Sequence, residues 1–282
     1  MKIPKRLQPL LEDGLIDAVL GQLMSGKESD VFVVRCSGEI RCAKVYKETK
    51  HRSFHKQTQY TEGRKVRNSR RSRAMEKHSR FGRKEQEVVW QNAEVDALCC
   101  LAAAGVRVPK PHGFSEGVLL MELVVDADGA VAPRLNDLRL SETLARQYHR
   151  LLIDQIVRML CAGLVHGDLS EFNVLVAADG PVIIDLPQVI DAAGNNNAKR
   201  LFARDVANIA AYFGQFAPEL LATDFAGEIW SIYENGDLQP GVLLTGRFES
   251  NSKTVDVDSV MREIDDSREE ALAREAGRIL FA

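Results

Sequence analysis

The chain has 282 residues, of which 45% are hydrophobic and 27% charged, and its formal net charge is −3. This composition is typical of a globular protein with one large domain or two smaller ones. The five cysteines include no Cys-x-x-Cys pair, so neither a zinc knuckle nor a disulfide framework is predicted. No apolar run approaches the roughly eighteen residues needed to cross a bilayer. We therefore expect a cytoplasmic protein without a membrane partner.

The N-terminal part predicts a short helix followed by strands. Apolar residues at near-helical spacing predict an amphipathic helix over residues 7–20. After the turn-forming stretch 25–29, the runs 31–34 and 40–46 predict a β-hairpin, and Lys44 lies in its second strand.

Basic residues are concentrated in one segment of an otherwise acidic chain. Residues 50–84 contain thirteen Lys or Arg and two acids. One interpretation is a solvated insertion, and the other is an electrostatic arm for RNA or a ribosomal particle, because neutralising phosphates releases counterions. Aromatic residues are few there, so readout of a specific single strand is not predicted.

The middle of the chain predicts two long helices separated by a strand. A helix over residues 85–105 should end at its terminal glycine, and residues 118–125 form a strand run. A second helix is expected over 141–162, with Ser141 as its N-cap. A hairpin-rich half thus ends near Leu123, and a mainly helical half follows.

The stretch 164-LVHGDLSEFNVLVAADGPVIIDLPQ-188 carries the strongest chemical signal. It predicts a loop, a strand over 173–176, a turn, and a strand over 182–184. Two short antiparallel strands would bring Asn173 and Asp185 close together at one end of the hairpin.

These side chains suit phosphoryl transfer, which needs metal ions, a cation on the phosphates and a carboxylate that orients the attacking hydroxyl. Asp168 would orient or deprotonate that hydroxyl. Asn173 and Asp185 would hold Mg²⁺, with Mn²⁺ as a substitute, and Lys44 would neutralise the α- and β-phosphates of ATP. The Asp-x-x-x-x-Asn spacing equals that of the protein-kinase catalytic loop.

Some residues near this site have more than one interpretation. Glu94 on the predicted helix can pair with Lys44, but Glu87 on the same helix could take that place in a different register. His166 is expected to be a structural histidine of the loop and not the catalytic base. For Asn173 and Asp185 the simpler interpretation is turn chemistry at strand ends.

Four strings in the same order, GKESDVFVV, APRLNDLRLS, HGDLSEFNVLV and IDLPQ, resemble the RIO family of atypical serine/threonine protein kinases over roughly residues 20–235. The resemblance implies an α+β, two-lobed protein-kinase-like fold with a small β-rich N-lobe and a mainly helical C-lobe. It also implies ATP in the cleft between the lobes and the loss of the helices that seat a peptide substrate.

The same resemblance implies the nucleotide contacts. Three residues would line the phosphate loop, namely Ser25, Lys27 and Ser29. Met121 would lie at the back of the adenine pocket, and the backbone of Glu122 and Leu123 would form the hinge. Lys27 has the simpler interpretation of a solvated loop lysine.

The chain departs from ordinary protein kinases in several places. Only Gly26 marks the phosphate loop, Gly167 replaces the arginine before the catalytic aspartate, and Asp185-Leu186-Pro187 replaces Asp-Phe-Gly. Subfamily features are mixed, and the short N-terminus favours the bacterial-type members that lack a winged helix. Substrate recognition is therefore expected to be unusual.

The expected layout is an N-terminal helical segment, two lobes and an extension. It assigns residues 1–19 to the segment, 20–123 to the N-lobe with its basic insertion, 124–240 to the C-lobe, and 241–282 to a C-terminal extension with a helix.

The expected function is an ATP- and Mg²⁺-dependent serine/threonine kinase that phosphorylates itself and has some ATPase activity. Two alternatives stay open. One is a small-molecule phosphotransferase of the aminoglycoside-kinase type, and the other is an ATP-gated ribosome assembly factor with little protein kinase activity.

Overall fold

The computed structural model describes residues 3–26, 28–47 and 80–248. Most of the basic segment 50–84 lies outside the described residues, and so do residues 249–282 with their expected helix. The two interpretations of the basic segment therefore stay predictions, as do the expected domain boundaries.

An antiparallel sheet forms the N-lobe in the described part of the chain. Its strands are β1 (Ala18–Ser25), β2 (Ser29–Cys36), β3 (Glu39–Tyr46), β4 (Pro111–Ser115) and β5 (Val118–Glu122). They lie in the order β1-β2-β3-β5-β4. The predicted hairpin is confirmed as β2 and β3, whose register places Lys44 opposite Val31. The sheet thus holds Lys44 in its central strand.

The predicted helix over residues 7–20 is wrong beyond its first turns. A 3₁₀ turn (Lys5–Leu7) leads into the short helix α1 (Gln8–Glu12), and the chain then enters β1. The helical pattern misled because an edge strand need not alternate cleanly, and β1 leaves Leu20 and Leu23 exposed. Its pairing with β2, absent from any local signal, decides the structure.

The helix predicted over 85–105 is confirmed as α2 (Arg80–Ala103), of which the side chains are described from residue 92. Leu98 and Leu101 bury its inner face against the core. The helix is followed by Gly105, whose φ of 75° favours glycine. The strand run predicted over 118–125 forms β5 and stops at Glu122, three residues early.

Helices build the C-lobe. They are α3 (Glu142–Cys161), α4 (Ala198–Gly214) and α5 (Phe225–Glu234), with 3₁₀ turns at Leu135–Asp137, Glu171–Asn173 and Pro218–Ala222. Ser141 caps α3 as predicted, because its side chain accepts a hydrogen bond from the N–H of Leu144 at 3.3 Å. Together with the antiparallel N-lobe sheet, these helices confirm the expected α+β, kinase-like fold.

Two short strand pairs position the predicted site. The pair β6 (Leu164–Val165) and β9 (Ile190–Asp191) flanks it, and the hairpin β7 (Val174–Ala177) and β8 (Gly180–Ile183) carries it. The strand predicted over 173–176 begins one residue later, because Asn173 ends a 3₁₀ turn just before β7. The strand predicted over 182–184 begins at Gly180 and ends at Ile183, and Asp185 follows it as expected. Among the described residues, no helix is both long enough and apolar enough to span a bilayer.

Candidate active site

A cavity of about 570 Å³ lies between the N-lobe sheet and the hairpin of the C-lobe. This volume falls in the range of roughly 300–1,000 Å³ typical of small-molecule sites. Apolar side chains form much of its wall, including Val31, Met121, Leu175 and Ile184. Within this lining, Lys44 contacts both Glu94 and Asp185, and the three form one charged cluster, here called the charged end.

Lys44 is held between two carboxylates. Its Nζ lies 2.5 Å from Oε1 of Glu94 and 3.0 Å from Oδ1 of Asp185. The phenol of Tyr46 donates a hydrogen bond of 2.6 Å to the other Glu94 oxygen. Burial alone would lower the pKa of Lys44, but the charges of Glu94 and Asp185 outweigh it and raise the pKa, so the lysine stays protonated. Of the two glutamates that the sequence offered as partners of Lys44, Glu94 makes the contact. The side chain of Glu87 lies outside the described residues.

Asp185 adopts an uncommon backbone conformation. Its φ of 65° lies in the left-handed region, which costs energy for most residues but is better tolerated by aspartate. Immediately before it, the N–H of Ile184 donates a hydrogen bond of 2.9 Å to the carbonyl of Asn173. Half of the Asp185 side chain stays exposed, at 50%. The backbone thus presents this carboxylate to the cavity beside Asn173.

Asp168 lies on the loop that leads into β7. The Asn173 amide donates a hydrogen bond of 2.9 Å to the Asp168 carbonyl, and the Gln188 amide lies 3.3 Å from the Asp168 carboxylate. An arginine of α4, Arg204, lies 3.9 Å from the same carboxylate. In the described part of the chain, Gln188 lines the cavity, whereas Asp168 and Asn173 do not. Since Asp168 contacts Gln188, we place Asp168 and Asn173 at the margin of the cavity.

The buried carboxylate of Asp205 in α4 holds this loop from behind. Its oxygens accept hydrogen bonds from the N–H of Gly167 at 2.7 Å and of Leu169 at 3.0 Å, on either side of Asp168. Asn208, one turn further along α4, donates to the Leu169 carbonyl at 3.0 Å. Burial raises the pKa of Asp205 to about 7, although these N–H bonds act in the opposite direction. Asp205 was not predicted as a site residue, because the sequence shows only an acidic residue on a helical face that proves to be buried.

Gly167 explains one departure from ordinary kinases. Its φ of 80° favours glycine, because a side chain at this conformation would be strained. Arg204 donates a hydrogen bond to its carbonyl. A cation is therefore present beside Asp168, although it comes from a helix later in the chain.

His166 fits the structural role expected for it. The ring is buried, Nδ1 accepts a hydrogen bond from the Asp168 N–H at 3.3 Å, and Nε2 lies 3.1 Å from the Ile184 carbonyl. Burial lowers the pKa of His166. A neutral ring that accepts at Nδ1 and donates at Nε2 satisfies both contacts.

Most, but not all, of the residues expected to contact the nucleotide line the cavity. Those that line it are Ser29, Lys44, Glu94, Met121, Glu122 and Leu123. Ser25 does not line it among the described residues. Its hydroxyl lies 3.2 Å from Nζ of Lys47, which also donates to the Gly26 carbonyl at 2.8 Å. Lys27 lies outside the described residues, so its expected phosphate contact stays a prediction.

The donor set near Asp185 fits a magnesium ion shared with phosphates. Among the described residues, no group of three or more His, Cys, Asp or Glu side chains is arranged to hold a metal. Mg²⁺ needs only one or two protein carboxylates when phosphates and waters complete its shell. Asp185 and the amide oxygen of Asn173 are ligands of this kind.

A strand lysine paired with a helix glutamate, followed by an Asp-x-x-x-x-Asn loop and a further aspartate, defines a protein with the protein-kinase type of site. Comparison with known proteins gives the family. The RIO domain model matches residues 30–226, and the chain belongs to the RIO family.

Curated relatives agree with this assignment. The chain is 33% identical over 207 residues to the RIO-type serine/threonine-protein kinase Rio1 of Haloferax volcanii, covering 72% of this chain and 66% of that protein. It is 30% identical over 206 residues to human serine/threonine-protein kinase RIO1, covering 72% of this chain and 34% of that protein. With Schizosaccharomyces pombe rio2 it shares 31% over 219 residues, which is 73% of this chain and 55% of that protein. The match therefore spans between a third and two thirds of these relatives.

Proposed function

We propose that this protein is an ATP- and Mg²⁺-dependent RIO-type serine/threonine protein kinase that also phosphorylates itself. One observation carries the proposal. Lys44 lies between Glu94 and Asp185 at the charged end of a cavity of nucleotide size, with the Asp168 loop at the margin. The names of the relatives, which are serine/threonine-protein kinases, support the acceptor class.

In the proposed reaction the hydroxyl oxygen of a serine or threonine attacks the γ-phosphorus, the bond to the bridging oxygen breaks, and ADP leaves. Asp168 orients the hydroxyl and takes its proton. Lys44 offsets charge on the α- and β-phosphates, and Glu94 keeps its ammonium in place. Mg²⁺, held by Asn173 and Asp185, would supply charge neutralisation at the phosphate oxygens.

The apolar wall of the cavity suits an adenine ring. Met121, which lines the cavity, would lie at the back of the adenine pocket, and the chain at Glu122 and Leu123 would offer backbone hydrogen bonds to the base. Self-phosphorylation, cytoplasmic location, and an RNA or ribosomal partner for the basic segment 50–84 belong to the same proposal and rest on the sequence alone.

Labelled ATP tests the proposal against its alternatives. Purified protein is incubated with γ-labelled ATP and Mg²⁺, and label is measured on the protein, on a generic protein acceptor, on aminoglycosides and as free phosphate. We expect label on serine or threonine of the protein and of the acceptor. Label on aminoglycosides would indicate a small-molecule phosphotransferase, and free phosphate alone would indicate an ATPase-driven factor. Absence of ATP binding by calorimetry would contradict the whole proposal.

A further inference from the structure

Arg107 lies in the connection between α2 and β4, and its main chain is fixed to the C-lobe. Its N–H donates a hydrogen bond of 2.7 Å to the side-chain oxygen of Gln155 in α3. Its carbonyl accepts a hydrogen bond of 2.9 Å from the N–H of Ile183 in β8. The backbone of Arg107 is therefore fixed in position by hydrogen bonds to α3 and to the end of β8.

The side chain of Arg107 reaches from that anchor to the last residue of the N-lobe sheet. Nη1 and Nη2 each donate a hydrogen bond of 3.0 Å to a different oxygen of Glu122, which ends β5. Nε donates to Asp179, in the turn between β7 and β8, at 3.0 Å. Glu122 also accepts a bond of 3.0 Å from the Lys110 N–H. Such two-pronged pairing fixes the orientation of both groups as well as their separation.

The two ends of this contact lead to the two ends of the proposed nucleotide site. Glu122 continues into Leu123, where the base would be recognised. Ile183, bonded to the Arg107 carbonyl, lies two residues before Asp185 at the charged end. Arg107 thus joins the segment beside the base to the strand that leads to the proposed metal ligand.

We infer that Arg107 is a positioning residue that sets the place of the Glu122–Leu123 segment relative to the C-lobe, and thereby the selectivity for the base of the nucleotide. The inference rests on the proposed function, since it assumes that a nucleotide base lies against this segment. In this inference the side chain of Glu122 also has a role, because its carboxylate accepts the two hydrogen bonds of Arg107. This role is additional to the backbone contacts with the base that are expected of Glu122.

This role differs from a contribution to stability. The side chains of Arg107 and Glu122 are 29% and 31% exposed, and a two-pronged pair with this limited access to water can also add to the free energy of unfolding, so unfolding is measured beside nucleotide binding. Hydrogen bonds to a base are far more sensitive to displacement of the backbone that makes them. Loss of Arg107 should therefore weaken recognition of the base while the Lys44 end of the site still functions.

The test measures nucleotide binding and turnover in Arg107→Ala, Arg107→Lys, Glu122→Gln and the double variant Arg107→Ala/Glu122→Gln. For Arg107→Ala we expect the Kd and KM for ATP to rise by about 5- to 20-fold, with kcat within about 3-fold, as for loss of ground-state binding. The preference for ATP over GTP should fall by a similar factor. Arg107→Lys, which keeps the charge but not the two-pronged geometry, should lie in between.

The double variant and a matched control make the result specific. Because Arg107 and Glu122 act as one unit, the double variant should bind ATP no more weakly than the worse single variant. Arg146→Ala is the control, since Arg146 pairs with Glu142 and Glu219 within the C-lobe and is not one of the residues that line the cavity. It should leave Kd and base preference unchanged.

The outcomes separate this inference from the proposed function. If the unaltered protein binds no ATP, the proposed function fails. If it binds ATP, but Arg107→Ala leaves Kd unchanged or weakens ATP and GTP equally, the inference about Arg107 is overturned. A lower unfolding temperature with unchanged Kd would likewise reduce Arg107 to a structural residue.

Discussion

Lys44 and Glu94 form an ion pair whose side chains are only 11% and 5% exposed. Removing two charges from water is costly, and the pair persists because every oxygen of Glu94 has a partner: Lys44 on one side and the Tyr46 hydroxyl on the other. Pairing β3 with α2 in this way places the ammonium of Lys44 at a fixed point of the cavity. The pair is therefore a structural element as well as a proposed catalytic one.

Replacing Glu94 with glutamine should damage both stability and rate. The variant leaves the buried Lys44 with Asp185 as its remaining carboxylate, so we expect the free energy of unfolding to fall by about 3 kcal/mol. Displacement of the ammonium should slow phosphoryl transfer by about 10²-fold. Denaturant unfolding and labelled ATP measure the two effects.

Tyr46→Phe serves as the matched control for Glu94. It removes one hydrogen bond to the same carboxylate and should cost about 1.5–3 kcal/mol of stability. The Lys44 pairing remains, so the rate should change only a few-fold. Equal rates in Glu94→Gln and the unaltered protein would show that Glu94 does not position Lys44 for transfer.

Asp168→Ala should abolish most transfer while sparing nucleotide binding. The carboxylate lies at the margin of the cavity and not among the residues that line it. We therefore expect a loss of about 10²- to 10⁴-fold in kcat, the range of general base catalysis. The Kd for ATP with Mg²⁺, measured by calorimetry, should stay within a few-fold. Retained turnover would remove Asp168 from the proposed mechanism.

Local sequence signals predicted much of this site. The hairpin of β7 and β8 has apolar runs on either side of Ala178-Asp179-Gly180, so the presence of both strands was predictable from a few residues. Their register, which pairs Ala177 with Gly180, comes from the structure. The nearness of Asn173 and Asp185 follows from that hairpin alone. The helices α2 and α3 were also predictable, because their apolar periodicity extends over many turns.

Other parts depend on contacts that no local pattern contains. Asp205 belongs to an amphipathic helix, and nothing near it distinguishes a carboxylate buried against the loop at Gly167 from one that faces water. Arg107 meets Glu122 only after β4 and β5 have folded back along each other. The left-handed backbone of Asp185 is likewise a product of the folded loop and cannot be read from Asp-Leu-Pro.

Asp205→Asn should loosen the catalytic loop. The amide can accept from one of the two loop N–H groups, but its NH₂ would face the other, which is left without an acceptor. A buried donor left in this state costs about 1–3 kcal/mol. We expect a loss of stability in this range, together with a lower kcat and little change in the Kd for ATP. Asn208→Ala, which removes a single bond to the Leu169 carbonyl, should have a smaller effect on kcat, and the reverse order would contradict the role given to Asp205.

His149 should make the C-lobe sensitive to acid. The ring is buried between Phe213 and Phe225, and burial lowers its pKa from 6.5 to about 4. The unfolded chain takes up a proton as pH falls through 6.5, whereas the folded protein does not until about pH 4. The contribution of His149 to the free energy of unfolding is therefore present above pH 6.5 and is lost as the pH falls toward 4. Between pH 7 and pH 5, the difference in pKa between the unfolded and folded states lowers the free energy of unfolding by about 2 kcal/mol.

The variant His149→Leu tests this dependence through the difference between pH values and not through absolute stability, since the leucine also changes the packing against the two phenylalanines. Denaturant unfolding of both proteins at pH 7 and pH 5 should show a decrease that is smaller by about 2 kcal/mol in the variant. Burial raises the pKa of Asp205 and acts with the opposite sign, but Asp205 is present in both proteins and its effect cancels. His112→Ala, at an exposed position, is the comparison. Burial and the charges of Arg41 and Lys110 also lower the pKa of His112, so this variant should reduce the decrease as well, but by less than His149→Leu does. An identical decrease in His149→Leu and the unaltered protein would show that His149 is not the source of acid sensitivity.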